Sequence, residues 1–173
     1  GLTLDWYRTL MQTPAIGQAL KNSLVIALAA ASIATLCATT ITYLEVFPRP
    51  VLSRLIGVLA RLPILIPGVI VGIALLILVN LAGLGPSRIA IVLGHVLVCL
   101  PAAVTVLRAR FAAIPRSIAE AAADLGASDF TVFRRAVLPL AWSAIGSAFT
   151  LSFLTSFDEF IVEAGKKSAE MVI

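Results

Sequence analysis

The sequence predicts an all-α, polytopic membrane protein with about four transmembrane helices and one short, polar, helical loop. Three observations carry this. Of 173 residues, 60% are hydrophobic and 13% charged, against about 45–50% and about 25% in soluble domains. The apolar residues gather into runs that cross a hydrocarbon core of about 30 Å at about 1.5 Å per residue. One charge-rich stretch, residues 117–139 (SIAEAAADLGASDFTVFRRAVLP), lies between two such runs.

The same composition narrows the function. A net charge of +4 without a Lys/Arg run interleaved with aromatics gives no footprint for nucleic acid. No GxxxxGK[ST] loop is present to cradle ATP phosphates. No paired acids or serine–histidine–acid set suggests an enzyme, and one histidine without a neighbouring carboxylate suggests no metal site. Cys37 and Cys99 lie in apolar runs and read as small buried residues. The opening GLTLDWYRTL lacks the apolar core of a signal peptide.

Residues 1–21 form a mixed external segment, in which Trp6 and Tyr7 read equally as an interfacial anchor or an ordinary amphipathic loop. The first span is expected over 22–44, rich in Ala, Ser and Thr, so that another helix packs closely on it. Residues 45–54, with Pro48 and Pro50, read as a turn. The second span is expected over 62–84. Pro63 and Pro67 should bend or break its entry, and Gly68 and Gly72 form a small-xxx-small pair. Helix packing explains these features; the competing reading places Pro67, Gly68 and Gly72 on a gate or translocation path. A turn over 83–88 leads to the third span, 89–107, which holds His95. A polar residue at membrane depth is a candidate path residue, against the plainer reading of a hydrogen bond to a neighbouring helix. Residues 108–136 form the polar loop, and the fourth span covers 137–157. Asp158 and Glu159 follow it, either capping the span in headgroup water or attracting a cationic substrate. Residues 158–173 are expected to be an external or disordered tail.

Orientation follows from basic residues. Arg49, Arg54, Arg61, Arg108, Arg110, Arg116, Arg134 and Arg135 fall on one side, and Arg8, Lys21 and Arg88 on the other, with Lys166 and Lys167 joining the latter if the tail stays there. The richer side is cytoplasmic by the positive-inside rule, which places the polar loop inside the cell.

Within the loop, Ser117 and Glu120 have the spacing of a capping box. Ile118, Ala122 and Leu125 fall on one apolar face, with Arg116, Glu120 and Asp124 opposite. Gly126 suits a left-handed helix end and Ser128 the N-cap of a second helix. Phe130, Phe133 and Val137 line that helix, and Pro139 marks a junction.

Glu120-Ala121-Ala122, three residues, Gly126, nine residues, an aliphatic position, one residue, Leu138-Pro139: this pattern resembles the cytoplasmic signature loop of ABC-importer permeases. Ala136 is smaller than the usual isoleucine. Further stretches, among them RLPILIPGVIVGIAL from Arg61 and SFDEFIV from Ser156, are similar to the subfamily of spermidine/putrescine permeases, whose relatives also move ferric iron, opines or phosphonates. The resemblance implies a translocation path for a small solute delivered by an extracytoplasmic binding protein, in the bacterial inner membrane, beside an identical or paralogous permease. This chain would bind no cofactor. ATP and Mg would be held by separate ATPase subunits, onto which Glu120, Ala121, Ala122, Asp124, Leu125, Gly126 and Ala127 dock as a coupling helix, with Leu138 and Pro139 closing the motif. Such permeases usually have six spans, so the chain is expected to lack the first and last. A channel, a secondary transporter and a structural anchor stay open as alternatives. The first two predict charged residues inside the spans, and apart from His95 the four interiors contain none. The third leaves the spaced loop motif unexplained.

Overall fold

The computed structural model describes residues 14–47, 51–83 and 87–170, all the described elements being helical. Trp6, Tyr7, Pro48, Arg49 and Pro50 lie outside them. In chain order the elements are α1 (Pro14–Val46), α2 (Val51–Arg61), a 3-10 turn (Leu62–Leu65), α3 (Gly68–Leu81), α4 (Arg88–Ala113), α5 (Arg116–Asp124), α6 (Asp129–Val132), a π-helical segment (Phe133–Val137) and α7 (Leu138–Glu170).

The fold centres on α1, α4 and α7, each packed on the other two. Among the described residues, three helical stretches are long and apolar enough to cross a membrane: Ile16–Val46, Arg88–Ala113 and Asp129–Asp158. A bent pair adds a fourth if it counts as one span. The expected small-residue face of the first span is present. Ala27, Ala30, Ala31, Ala34 and Ala38 are fully buried, at i, i+3, i+4, i+7 and i+11 on one side of α1. Ser23 and Thr39 return their hydroxyls to the helix's own carbonyls, at Ala19 (2.8 Å) and Thr35 (2.7 Å), while the buried hydroxyls of Thr35 and Thr42 have no hydrogen-bond partner. The buried alanines give this face small side chains, against which α4 and α7 pack. Ala34→Leu places extra carbons where there is no free surface. We expect it to cost about 1–3 kcal/mol, seen as a lower denaturation midpoint of the solubilised chain.

Several boundaries differ from the sequence expectation. The first helix reaches Val46, and Val51–Arg61 is a helix where a turn was expected through residue 54. The third continues to Ala113, six residues past its expected end at 107. The last runs to Glu170, through residues read as an external or disordered tail.

The stretch 62–84 is not one helix. Pro67 disfavours helical geometry at the residue before it, and Ile66 sits at φ −108°, ψ 130°. Helix α3 starts only at Gly68 and has 14 residues, about 21 Å of rise and too short to span the core alone. The two limbs, Arg54–Leu65 and Ile70–Leu81, meet at 116°. Gly72 has nothing near its missing side chain, and Pro67, Gly68 and Gly72 are all exposed. The expected close helix approach is therefore not made at Gly72 among the described residues. It is Gly94, on α4, that lies tight against α3, with Leu75 2.8 Å from where its Cβ would stand. Cys99 is buried as expected, but Cys37 is exposed on the outer face of α1.

Candidate functional site

The segment after α4 is built from local chain chemistry. Ile114 leaves helical geometry at φ −77°, ψ 125°, as the residue before a proline should. Pro115 then caps α5 from an extended conformation, and its carbonyl accepts from the Ile118 N–H (3.2 Å). The helix thus begins at Arg116, ahead of the expected serine cap. Ser117 and Glu120 form no capping box: no side chain caps this helix start, and both residues are exposed. The fixed proline geometry sets the helix start instead.

The other end of α5 closes as expected. Gly126 has φ +80°. The Ala127 N–H donates to the Ala122 carbonyl (3.1 Å) and the Gly126 N–H to that of Ala123 (2.8 Å), the paired bonds of a Schellman motif. Ser128 caps the next helix, its hydroxyl accepting from the Thr131 N–H (3.4 Å). A side chain at 126 meets no neighbour within 4 Å, so Gly126→Ala costs only the left-handed backbone, about 1–2 kcal/mol. Unfolding of the solubilised chain measures it.

Pro139 is not a break. The chain runs from α6 through the π-helical segment into α7, and the Leu138 N–H donates to Phe133, five residues back. The wide turn falls just before Pro139, whose ring has no N–H to donate, and accommodates it without ending the helix.

The expected apolar faces divide. Ile118, Ala119, Ala122, Ala127 and Phe133 pack inward against Tyr43, Leu107, Phe111, Val132 and Val137. Leu125 and Phe130, expected to share faces with these residues, point outward, 89% and 69% exposed. The cause is the Gly126 turn: Leu125 stands at the helix end and Phe130 at the next helix start, outside both packed faces. Glu120, Ala121 and Asp124 are exposed around them, as are Arg134 and Arg135. Two large exposed apolar side chains thus belong to a segment that also exposes charges of both signs, the composition of an interface core and rim.

Beneath this knob the segment is braced to α1, α4 and α7. The Tyr43 hydroxyl donates to the Asp129 carbonyl (2.9 Å), 86 residues along the chain. Its ring lies 4.7 Å from that of Phe133 and 5.4 Å from Phe47, which in turn meets Phe111 edge-on. The Arg116 guanidinium donates to the Val46 carbonyl. Arg110 places both Nε (3.1 Å) and Nη2 (2.8 Å) on the Leu140 carbonyl, tying α4 to α7. Alongside, Glu45 is buried, its side chain 4% exposed. Its Oε1 accepts from Arg61 (3.2 Å) and Arg108 (2.9 Å), joining α1, α2 and α4. Gly57 of α2 lies directly against this carboxylate: a Cβ there would stand 2.6 Å from Oε2.

Sequence reasoning missed Tyr43, Glu45 and the arginine contacts. Glu45, the only acid among the arginines assigned to this side before Glu120, was the available signal. Its partners lie 16 and 63 positions away, and no local pattern names them.

The remaining candidates are not gathered at this site. His95 Nδ1 is 2.8 Å from the Ser156 hydroxyl on α7, and Ser156 is 2% exposed. Below it the Cys99 thiol donates to the Ser152 carbonyl (3.2 Å). This buried seam fits the plainer reading of His95, a polar bond between packed helices. Asp158 is exposed on α7, 20 residues beyond Leu138, hence about 30 Å from the braced segment along the helix. The Glu159 side chain lies outside the described residues.

Residues 30–164 match the family described as "Binding-protein-dependent transport system inner membrane component". The chain is 32% identical over 169 residues to the spermidine/putrescine transport system permease protein PotC of Escherichia coli, covering 95% of this chain and 62% of that protein. It is 35% identical over 169 residues to the putrescine permease PotI of the same organism, covering 94% and 60%. The α-glucoside permease AglG of Rhizobium meliloti is 33% identical over 166 residues, covering 92% and 43%. The chain therefore spans about three fifths of the polyamine permeases it matches. A helical bundle with several apolar, membrane-length helices and a matching stretch of 30–164 places this chain in the family of binding-protein-dependent transport system inner membrane components.

Proposed function

We propose that the chain is a membrane-spanning permease subunit of an ATP-driven ABC importer of the polyamine type. The observation that carries this reading is the exposed Leu125–Phe130 knob, held by the Gly126 turn and braced from below by Tyr43. In this reading the knob is the coupling element. It seats in a cleft of a separate ATPase subunit, with Glu120, Ala121 and Asp124 at the rim. Ala122 and Ala127, which pack inward, support the knob, and Leu138 and Pro139 set the continuous passage into α7. ATP and Mg are held by the ATPase, not by this chain. Closure of the ATPases moves the knob as a rigid body, and Tyr43, Arg110 and Arg116 pass that motion to α1 and α7. The two sites are thereby coupled through one two-state element.

The arginine-rich end faces the cytoplasm, in keeping with the positive-inside rule. Asp158 then faces outward with Glu159 next in sequence, where a carboxylate attracts a polycation delivered by a binding protein. The exposed break at Pro67–Gly68 and the glycine face at Gly72 line the path together with a second permease subunit. His95 sits in the packed seam and serves the bundle rather than the solute. The polyamine assignment is supported by the matches to PotC and PotI, and the match to AglG makes a sugar the competing substrate.

Uptake by the assembled transporter in vesicles tests both levels. Labelled putrescine or spermidine should enter only with ATP, and excess unlabelled polyamine but not an α-glucoside should compete. ATP-driven uptake of an α-glucoside, ferric iron, an opine or a phosphonate without polyamine uptake would contradict the substrate. Uptake independent of ATP would contradict the importer class. Neutralising Asp158 and Glu159 together should raise the polyamine concentration needed for half-maximal uptake, and an unchanged value would return them to a capping role.

A further inference from the structure

At the arginine-rich end of the bundle lies a cavity of about 540 Å³ bounded by the ends of α1 and α4, by α2 and by the start of α5. Three guanidinium-bearing residues line it, Arg54, Arg108 and Arg116, against one acid, Glu45. That carboxylate already shares its Oε1 between Arg61 and Arg108, so the lining carries a net excess of positive charge. The guanidinium fork matches the oxygens of a phosphate.

Helix α2 says what kind of phosphate. It presents Gly57 to the bundle, against Glu45. Its large apolar residues face away: Val51 is 87% exposed, Leu52 65%, Leu55 55% and Leu59 52%. Arg54 and Arg61 lie on the side toward Gly57 by helical spacing. An amphipathic helix with apolar residues outward and arginines beside them fits the boundary between headgroups and acyl chains. There, phosphates and hydrocarbon are both within a helix diameter. Basic pockets between helices at the cytoplasmic face are known to hold anionic headgroups.

We propose that this cavity binds the phosphate headgroup of an anionic phospholipid, whose acyl chains lie along the outward face of α2. The site pins α2 at the membrane surface next to the Glu45 ion pairs. It requires the chain to be embedded in a membrane but not the polyamine or coupling readings, and it stands or falls separately from them.

Native mass spectrometry of the solubilised full chain, equilibrated with phosphatidylglycerol or phosphatidylcholine in mixed micelles, tests it. Phosphatidylglycerol should be retained over phosphatidylcholine. Arg54→Gln should weaken that retention about fivefold, the effect of one basic residue near a lipid surface. Arg54→Lys, which keeps the charge but loses the guanidinium fork, should fall between Arg54→Gln and the unaltered chain, and Arg88→Gln, at the other end of α4, should leave retention unchanged. Because Arg54 is exposed, the substitution leaves the packed core intact. Equal retention of the two lipids, or no effect of Arg54→Gln, would overturn the proposal. Displacement of the lipid by equimolar inorganic phosphate would make the site one for free anions. Displacement by the ATPase subunit would make it a protein contact. Either result also overturns it.

Discussion

Leu125→Asp combined with Phe130→Asp is expected to abolish ATP-driven uptake while leaving the chain folded and in the membrane. Both side chains are largely exposed, so removing them takes little from the bundle. In a docked complex, large apolar residues at the centre of a polar rim are where binding energy concentrates, about 2 kcal/mol or more each. Losing one weakens ATPase binding by roughly 30-fold, and placing a carboxylate in the cleft adds a desolvation cost. Truncating the rim should do much less: Glu120→Gln removes an exposed charge, worth about 0–1 kcal/mol. Uptake by vesicles and the amount of ATPase subunit co-purifying with each variant check this. Wild-type levels of both with the double variant would remove the knob from the mechanism.

That knob shows where the sequence stops being informative. The glycine turn, the Ser128 cap and the spacing from Glu120 to Pro139 are local features, fixed by a few neighbouring residues, and they were legible. Which apolar residues face outward was not. Helical spacing grouped Leu125 with Ile118 and Ala122, but the helix ends before Leu125, and the turn swings it away. The inward face is selected by Tyr43, Leu107 and Phe111, from helices distant in sequence. Likewise, the break near Pro67 follows from proline geometry, whereas α2 was hidden. Its apolar face looks like part of a turn until one sees that its small face, at Gly57, is the side that packs.

Arg61→Met with Arg108→Met is the second large effect. The pair leaves Glu45, 4% exposed, as a buried charge without its two partners. Breaking a buried ion pair from one side costs about 3–5 kcal/mol. The lower end applies here, because the Arg108 side chain is 51% exposed and contributes partly through solvent. Glu45→Gln is not the mirror image. It removes the buried charge and frees guanidiniums that reach water, so we expect a loss of about 0–1 kcal/mol. Denaturation midpoints of the solubilised variants measure both. A larger loss for Glu45→Gln than for the double arginine variant would reverse the assignment of which partner is desolvated.

In the proposed mechanism Leu125 and Phe130 touch the ATPase subunit directly. Cysteine cross-linking in the assembled transporter tests it without relying on activity, with Cys37 and Cys99 first replaced by serine. Leu125→Cys and Phe130→Cys should each cross-link to the ATPase subunit, and Leu52→Cys, on the outward face of α2, should not. Cross-linking from residue 52 with none from 125 or 130 would contradict the account.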